Sequence, residues 1–266
     1  MLVRDVCNYL EMKYPKSDAE DFDQPRIGLT IGSENIEVKN ILLALDLNID
    51  VVNEAIEKGC NLIITHHPYI FDPLYKVLFE SEKGQVIRKM FDHNISTFSM
   101  HTNLDVGDGG VNDILADMLG IQNYKVINNE KSKGNYLRYG EIEEVSLKEL
   151  AEYVKENLQL SGVKVFGDLK KRIKSIGVVG GSGAHMSDIM NALNCNLDCF
   201  ITGEIKLNVA QFADFHNLSL IEVNHGVEKF VFDSLRNVME IELAYKYEFN
   251  NEIIVSNIET DKFVCL

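Results

Sequence analysis

Apolar runs of strand length alternate with amphipathic segments of helix length along the first hundred residues. The runs NILLALDL, CNLIITHH and NISTFSMH are separated by the helical patterns VVNEAIEKG and QVIRKMFDH. Strands that alternate with helices in this way indicate βαβ units and a mainly parallel sheet. The pattern therefore predicts an α/β fold.

The second half of the chain repeats part of this pattern. CNLIITHH (60–67) aligns with LDCFITGE (197–204), and HNISTFSMHTNLD (93–105) aligns with HNLSLIEVNHGVE (216–228). The two offsets differ by 14 residues, which we assign to extra sequence near YIFDPLYKVLFESEKG in the first half. Unrelated βα units also resemble one another by chance, but a true repeat predicts two similar α/β halves with a ligand cleft between them.

The chain is therefore expected to have three parts. Residues 1–130 form the first α/β half, 131–170 a connecting strand-helix-strand segment, and 171–266 the second half. The connecting helix is predicted to begin at the capping box that Ser146 and Glu149 make. We expect this segment to complete the edge of one half.

Charge and composition narrow the classes of partner. The chain has 26 Lys+Arg against 41 Asp+Glu, a net charge of -15, which argues against a broad nucleic-acid-binding surface. KSKG and LKKRIK are the only dense basic runs. The five cysteines contain no C-x-x-C pair, which favours reduced thiols. No apolar stretch reaches the roughly 18 residues that span a bilayer, so we expect a cytoplasmic protein without a membrane partner.

Metal-binding residue types directly follow three of the predicted strands. Open α/β sheets bind ligands beyond the carboxyl ends of their strands, where such side chains converge. Imidazole and carboxylate together suit a divalent ion such as Zn, Fe, Mn or Co. His66 and His67 follow the strand NLIIT. His101 and Asp105 follow the strand in NISTFSMH, and His225 and Glu228 follow the strand in HNLSLIEVNH.

Each motif also has a purely structural interpretation. His66 and His67 could be polar residues of a turn, and Asp105 could be a turn residue in LDVGDGG. The glycines of Gly180–Gly183 could cradle an anion or simply allow a tight strand-to-helix turn, and we favour the turn. Glu204 could line the cleft or face solvent. Three further histidines lack such neighbours and are interpreted as structural: His93, His185 and His216.

Six motifs, in order over nearly the whole chain, resemble the dinuclear metal-centre family, which is also called Nif-three-like. Its members are known as GTP cyclohydrolase I type 2 homologues. The motifs are ALD (44–46), IITHHP (63–68), HTNLD (101–105), GGSG (180–183), ITGE (201–204) and H-x-x-E (225–228).

The resemblance implies a two-domain α/β protein with two divalent metal ions per subunit, assembled into a homohexameric ring. By this resemblance His67 and Asp105 bind one ion, His66 and His225 bind the other, and Glu228 bridges them. Some members space the last pair as H-x-x-x-E, so the H-x-x-E of this chain leaves the bridging role open.

The resemblance further implies a metal-dependent hydrolase that acts on a nucleotide or another phosphate-containing small molecule. The family's name suggests opening of the guanine ring of GTP, with His101 or Glu204 carrying a proton. The alternative is a non-catalytic metal-binding protein with a regulatory or assembly role. Both functions need the same ligands, so the sequence leaves both open.

Overall fold

The structure is a computed structural model that describes residues 1–127 and 135–263. The basic run KSKG and Cys265 lie outside the described residues. Within the described part of the chain, no helix is both long and apolar enough to cross a membrane.

Strands and helices alternate along most of the described chain. The strands are β1 (Gly28–Ile31), β2 (Asn40–Ala44), β3 (Cys60–Thr65), β4 (Ser96–Ser99), β5 (Lys125–Val126), β6 (Arg138–Ser146), β7 (Lys164–Phe166), β8 (Arg172–Val178), β9 (Cys199–Thr202), β10 (Ser219–Glu222) and β11 (Ile253–Val255). The helices are α1 (Val3–Lys13), α2 (Ile49–Glu57), α3 (Glu82–Asp92), α4 (Thr102–Val106), α5 (Val111–Met118), α6 (Leu147–Asn157), α7 (Met186–Asn194), α8 (Leu207–Phe215) and α9 (Val231–Tyr247). Two 3₁₀ segments complete the set, Lys16–Asp18 and His225–Phe230.

The chain divides into two compact units. The first unit contains Met1–Gly107 and Val231–Thr260, and the second contains Asp108–Phe230 and Asp261–Leu266. This division differs from the three consecutive parts expected from sequence. The chain returns to the first unit because β11 pairs with β2. No local sequence pattern predicts this pairing.

The first unit is built on a five-stranded sheet in the order β1-β4-β3-β2-β11. Strands β4, β3, β2 and β11 are parallel, and β1 is antiparallel to β4. Every residue of β3 is buried, as expected for a parallel strand covered on both faces, which explains its continuous apolar run. Helices α2 and α3 pack on this sheet through Val51, Val52, Ala55, Val86 and Met90.

The second unit is built on a six-stranded sheet in the order β5-β6-β8-β9-β10-β7. Strands β8, β9 and β10 are parallel, whereas β6 and β7 flank them in antiparallel orientation. The connecting segment therefore supplies β6 and the edge strand β7 of this sheet, and the predicted capping box of Ser146 and Glu149 begins α6. Helices α7 and α8 cover the sheet through Ile189, Ala192, Val209 and Ala213.

The sequence repeat corresponds to a repeat in topology and backbone conformation. Strands β4-β3-β2 and β10-β9-β8 have the same order and the same parallel direction. Gly59 and its counterpart Asn196 both have positive φ, 66° and 54°, as do Asn94 and Asn217, 53° and 58°. A left-handed residue ends each preceding helix, and Gly and Asn adopt this conformation most readily. The fold is therefore α/β with two similar halves, as predicted.

Candidate metal centre

The first predicted motif lies where β3 ends. The backbone N-H groups of His66 and His67 donate to the carbonyls of Ala44 and Leu45, at 3.3 and 3.0 Å, so the pairing with β2 continues beyond the strand. The Thr65 hydroxyl donates to the His67 carbonyl at 2.9 Å. The two histidines are thus held by the sheet itself, because their backbone groups extend its hydrogen-bond ladder.

The imidazoles of His66, His67 and His101 each have the Nδ1 atom at hydrogen-bond distance from an oxygen acceptor. Carbonyl and carboxylate oxygens only accept, so each Nδ1 carries the proton and Nε2 is the nitrogen with the lone pair. The pairs are His66 with the Met100 carbonyl at 3.0 Å, His67 with Asp46 Oδ1 at 2.7 Å, and His101 with Asp23 Oδ1 at 2.9 Å.

The three imidazoles form one cluster. The ring centroid of His66 lies 4.8 Å from that of His67 and 5.2 Å from that of His101, and the last two are 5.6 Å apart. One ring nitrogen from each lies within 4.8 Å of the others, a spacing that could hold a metal ion. Asp105 adds a carboxylate oxygen 3.5 Å from His66 Nε2. The motifs that follow β3 and β4 therefore converge, as the sequence predicts.

Two carboxylates behind the cluster stay ionised. Burial opposes ionisation of Asp46, but hydrogen bonds from His67 and Thr260 outweigh it and hold the pKa of Asp46 below its usual range. Asp23 is fully buried, which also opposes ionisation, yet its bonds with His101 and Thr102 lower its pKa. Ionised carboxylates behind imidazoles make the rings stronger metal ligands.

In the second unit, the 3₁₀ segment His225–Phe230 carries the late histidine and glutamate. His225 lies between two carboxylates, with Nδ1 2.8 Å from Glu204 Oε1 and Nε2 3.2 Å from Glu228 Oε2. Glu228 is 4% exposed. The hydrogen bond to His225 holds the pKa of Glu204 below its usual range, despite some burial and with further help from Ser182. Glu204 thus supports His225 as Asp46 supports His67.

The glycine turn after β8 packs directly against this pair. Gly181 has φ +59°, and a Cβ placed there would lie 2.3 Å from Glu228 Oε1 and 3.2 Å from His225 Nε2. Both the left-handed backbone and the close approach require glycine here. The preferred interpretation of Gly180–Gly183 as a tight turn therefore has a physical reason, which is room for the Glu228 carboxylate.

The structure places every predicted site residue in a polar cluster within one of the two units. His66, His67, His101 and Asp105 lie together in the first unit, and Glu204, His225 and Glu228 lie together in the second. The remaining histidines are at helix ends: His185 precedes α7, and His93 and His216 follow α3 and α8. These positions agree with their interpretation as structural residues.

Sequence reasoning missed Asp46 and Asp23 as parts of the site. Asp46 follows β2, so the rule that polar residues converge beyond strand ends could have found it. Asp23 lies in an irregular turn, 78 residues before His101, and no sequence pattern connects the two.

Comparison with known proteins agrees with this architecture. The family model described as Duf34/NIF3 (NGG1p interacting factor 3) matches residues 1–262. A Clostridium acetobutylicum protein named GTP cyclohydrolase 1 type 2 homolog is 36% identical over 268 residues, which cover 98% of each chain. A Staphylococcus aureus protein of the same name is 27% identical over 369 aligned residues, which cover 99% of each chain.

Two solved structures have the same fold over their whole length. The crystal structure of a Bacillus cereus protein related to NIF3 superposes with a TM-score of 0.92 at 25% identity, covering 100% of this chain and 99% of that one. A hypothetical protein of Staphylococcus aureus superposes with a TM-score of 0.91 at 32% identity, with the same coverage. The sequence match and the shared fold together show that this chain belongs to the Duf34/NIF3 family.

Proposed function

We propose that this protein binds two divalent metal ions and uses them to hydrolyse a small molecule. The observation that carries the proposal is the cluster of three imidazoles in the first unit, each with Nδ1 held by an acceptor. Such support fixes the orientation of all three rings, of which two serve as ligands and His101 as the proton carrier. We assign His66, His67 and Asp105 of the first unit and His225 and Glu228 of the second as ligands, following the family resemblance.

The residues present suit a divalent ion. Imidazoles and carboxylates form the donor set that Zn, Fe, Mn and Co accept, and no thiolate is needed. The carboxylates of Asp46 and Glu204 remain ionised beside their imidazoles, as a cation nearby would favour. The two clusters would therefore tolerate the added positive charge.

When bound, two divalent ions supply Lewis acidity that activates water and polarises an oxygen of the substrate. The residues of this chain orient the imidazoles and move protons. Asp46, Asp23 and the Met100 carbonyl fix the imidazole orientations. His101 is our candidate for moving a proton, because Asp23 holds its Nδ1 and leaves Nε2 as the exchanging atom. Glu204 is the second candidate, through the proton it shares with His225 Nδ1.

The name carried by the curated relatives supports a specific substrate. We propose GTP, with opening of its guanine ring as the reaction, and more broadly a nucleotide or another phosphate-containing molecule. The sequence-based expectation of a cytoplasmic homohexamer belongs to the same proposal.

The experiment that tests this function combines metal analysis with turnover assays on GTP and on phosphoesters. Wild type is compared with His67→Ala and with the matched control His93→Ala, since His93 precedes β4 whereas His101 of the cluster follows it. We expect about two divalent ions per chain and turnover in wild type and His93→Ala, and loss of both in His67→Ala. Two bound ions without turnover would support the non-catalytic alternative, and less than one ion per chain would refute the ligand assignment.

A further inference from the structure

Beside the histidine cluster, an arginine stacks on an exposed aromatic ring. The guanidinium carbon of Arg26 lies 3.8 Å from the ring centroid of Phe71 and 5.4 Å from that of Phe22. Its Nε donates to the Phe71 carbonyl at 2.7 Å. The Phe71 ring in turn stands edge-on to His101, with centroids 6.4 Å apart. Together the distances of 3.8 and 6.4 Å place the Arg26 guanidinium within about 10 Å of the His101 ring.

The turn that carries Arg26 also supports His101. The Asp23 carboxylate accepts from the backbone N-H and hydroxyl of Thr102 and is bonded to His101 Nδ1. Within the turn, the N-H of Arg26 donates to the Asp23 carbonyl at 2.8 Å. The position of Arg26 relative to His101 is thus set by a short, hydrogen-bonded path.

The terminal nitrogens of Arg26 donate no hydrogen bond within residues 1–127 and 135–263. Their ionic partner is Asp72, 3.9 Å away with 85% of its side chain exposed, a kind of pair that contributes little. Arg138 shows the opposite case, because it is 2% exposed and its guanidinium is bonded to Asp113 and to backbone carbonyls. Arg138 has a structural role, whereas the fork of Arg26 is left for a ligand.

We propose that Arg26 binds an anionic group, a phosphate or a carboxylate, of the molecule on which the histidine cluster acts. The planar fork of a guanidinium matches two oxygens of such a group, and stacking on Phe71 orients the fork in advance. This assignment rests on the proposed function for the identity of the reacting site. It adds that Arg26 is the specificity-determining residue that recognises the anionic group of that molecule.

The test measures binding of inorganic phosphate to the full-length protein, as purified and again after treatment with a chelator, by titration calorimetry. Arg26→Gln is expected to weaken binding about tenfold or more, because a charge-assisted bidentate contact is lost. Arg26→Lys keeps the charge but lacks the fork, so an intermediate loss is expected. The melting temperatures of Arg26→Gln and Arg26→Lys, compared with that of wild type, show whether the variants fold.

The matched control is Arg88→Gln. Arg88 also stacks on an exposed ring, Phe79 at 4.9 Å, and pairs with an aspartate, Asp92 at 3.6 Å, but it lies on α3. We expect its phosphate affinity to stay within about twofold of wild type. Equal losses in the Arg26 and Arg88 variants, an unchanged affinity in Arg26→Gln, or no binding by wild type would each overturn the proposal. Arg26-dependent binding in a protein without turnover would instead refute the proposed hydrolysis alone.

Discussion

Asp46 shows how a single residue prepares a neighbour for metal binding. Its carboxylate is bonded to His67 Nδ1 at 2.7 Å and also accepts from the Thr260 hydroxyl at 2.5 Å. The ring orientation of His67 therefore depends on an aspartate 21 residues earlier. Asp23 orients His101, and Glu204 orients His225, through the same kind of bond between a carboxylate and Nδ1.

We predict that Asp46→Asn lowers metal affinity about 10- to 100-fold, because the amide keeps an acceptor for His67 but removes the negative charge behind the ring. Competition with a chromogenic chelator measures the change. Asp92→Asn is the control, since Asp92 is exposed at the end of α3. Equal affinities for the two variants would show that the carboxylate does not act through His67.

Gly181 provides a second prediction for a single residue. Gly181→Ala places a methyl group 2.3 Å from Glu228 Oε1 and also strains a backbone at φ +59°. We expect a loss of about 1 to 3 kcal/mol in unfolding free energy, together with reduced metal content. Denaturant unfolding and metal analysis measure the two effects.

Gly109→Ala separates strain from the close contact. Gly109 has φ +67°, but a Cβ there would meet nothing within 4 Å. We expect a loss of about 1 kcal/mol from backbone strain alone, with metal content unchanged. If Gly109→Ala reduced metal content as much as Gly181→Ala, the contact with Glu228 would not be the cause.

Among the elements, the central strand β3 connects the core with the histidines that follow it. Its six residues are all buried, in contrast to β6, where most positions are exposed or partly buried. Continuous apolar runs predicted β3 correctly, because a parallel strand covered on both faces has no polar face. The residues after the strand were predictable for the same reason, since they must leave the core at the ligand-binding edge.

We predict that Ile63→Ala and Ile64→Ala each lower the free energy of unfolding by about 2 to 5 kcal/mol. These neighbours point to opposite faces of the sheet, and both are fully buried. Urea unfolding measures the loss. Ile142→Ala in β6 is the control, and we expect a smaller effect because this residue is only partly buried. A large loss at only one of the β3 positions would contradict two-sided burial.

For the whole molecule, the return of the chain to the first unit is the feature that sequence did not predict. Glu54 on α2 makes some of the contacts that hold the returning segment in the first unit. The Glu54 carboxylate accepts from the Ser256 hydroxyl and from the Asn257 N-H, and it pairs with Lys58 at 2.8 Å. It thereby ties the segment after β11 to a helix two hundred residues earlier in the chain.

The bonds of Glu54 also predict that the stability of the fold depends on pH. Burial tends to raise the pKa of Glu54, but the bonds from Lys58, Ser256 and Asn257 outweigh it and lower the pKa below 4.5. Because the folded pKa is lowered, the stabilisation is complete above pH 4.5 and is lost as the pH falls through the folded value. Glu54→Gln should therefore lower unfolding free energy by about 1 to 3 kcal/mol at pH 7.

The free energy of unfolding, measured from pH 7 to pH 3, tests the direction of this pH dependence. The difference between wild type and Glu54→Gln should shrink as the pH falls, because protonation removes the charge from the wild-type side chain as well. Glu57→Gln is the control, since Glu57 is exposed on the same helix. A difference that stays constant with pH would mean that the Glu54 charge does not stabilise the fold.

The sequence by itself determined the α/β class, the repeat of two halves and the residues that follow the strands. These features depend on short-range periodicity, helix-ending residues such as Asn94 and Asn217, and the chemistry of adjacent side chains. Tertiary structure alone decided which oxygens hold the imidazoles, why Gly181 must be glycine and where the two units divide. These properties depend on which segments become neighbours across 21 to more than 200 residues, and no local pattern encodes that pairing.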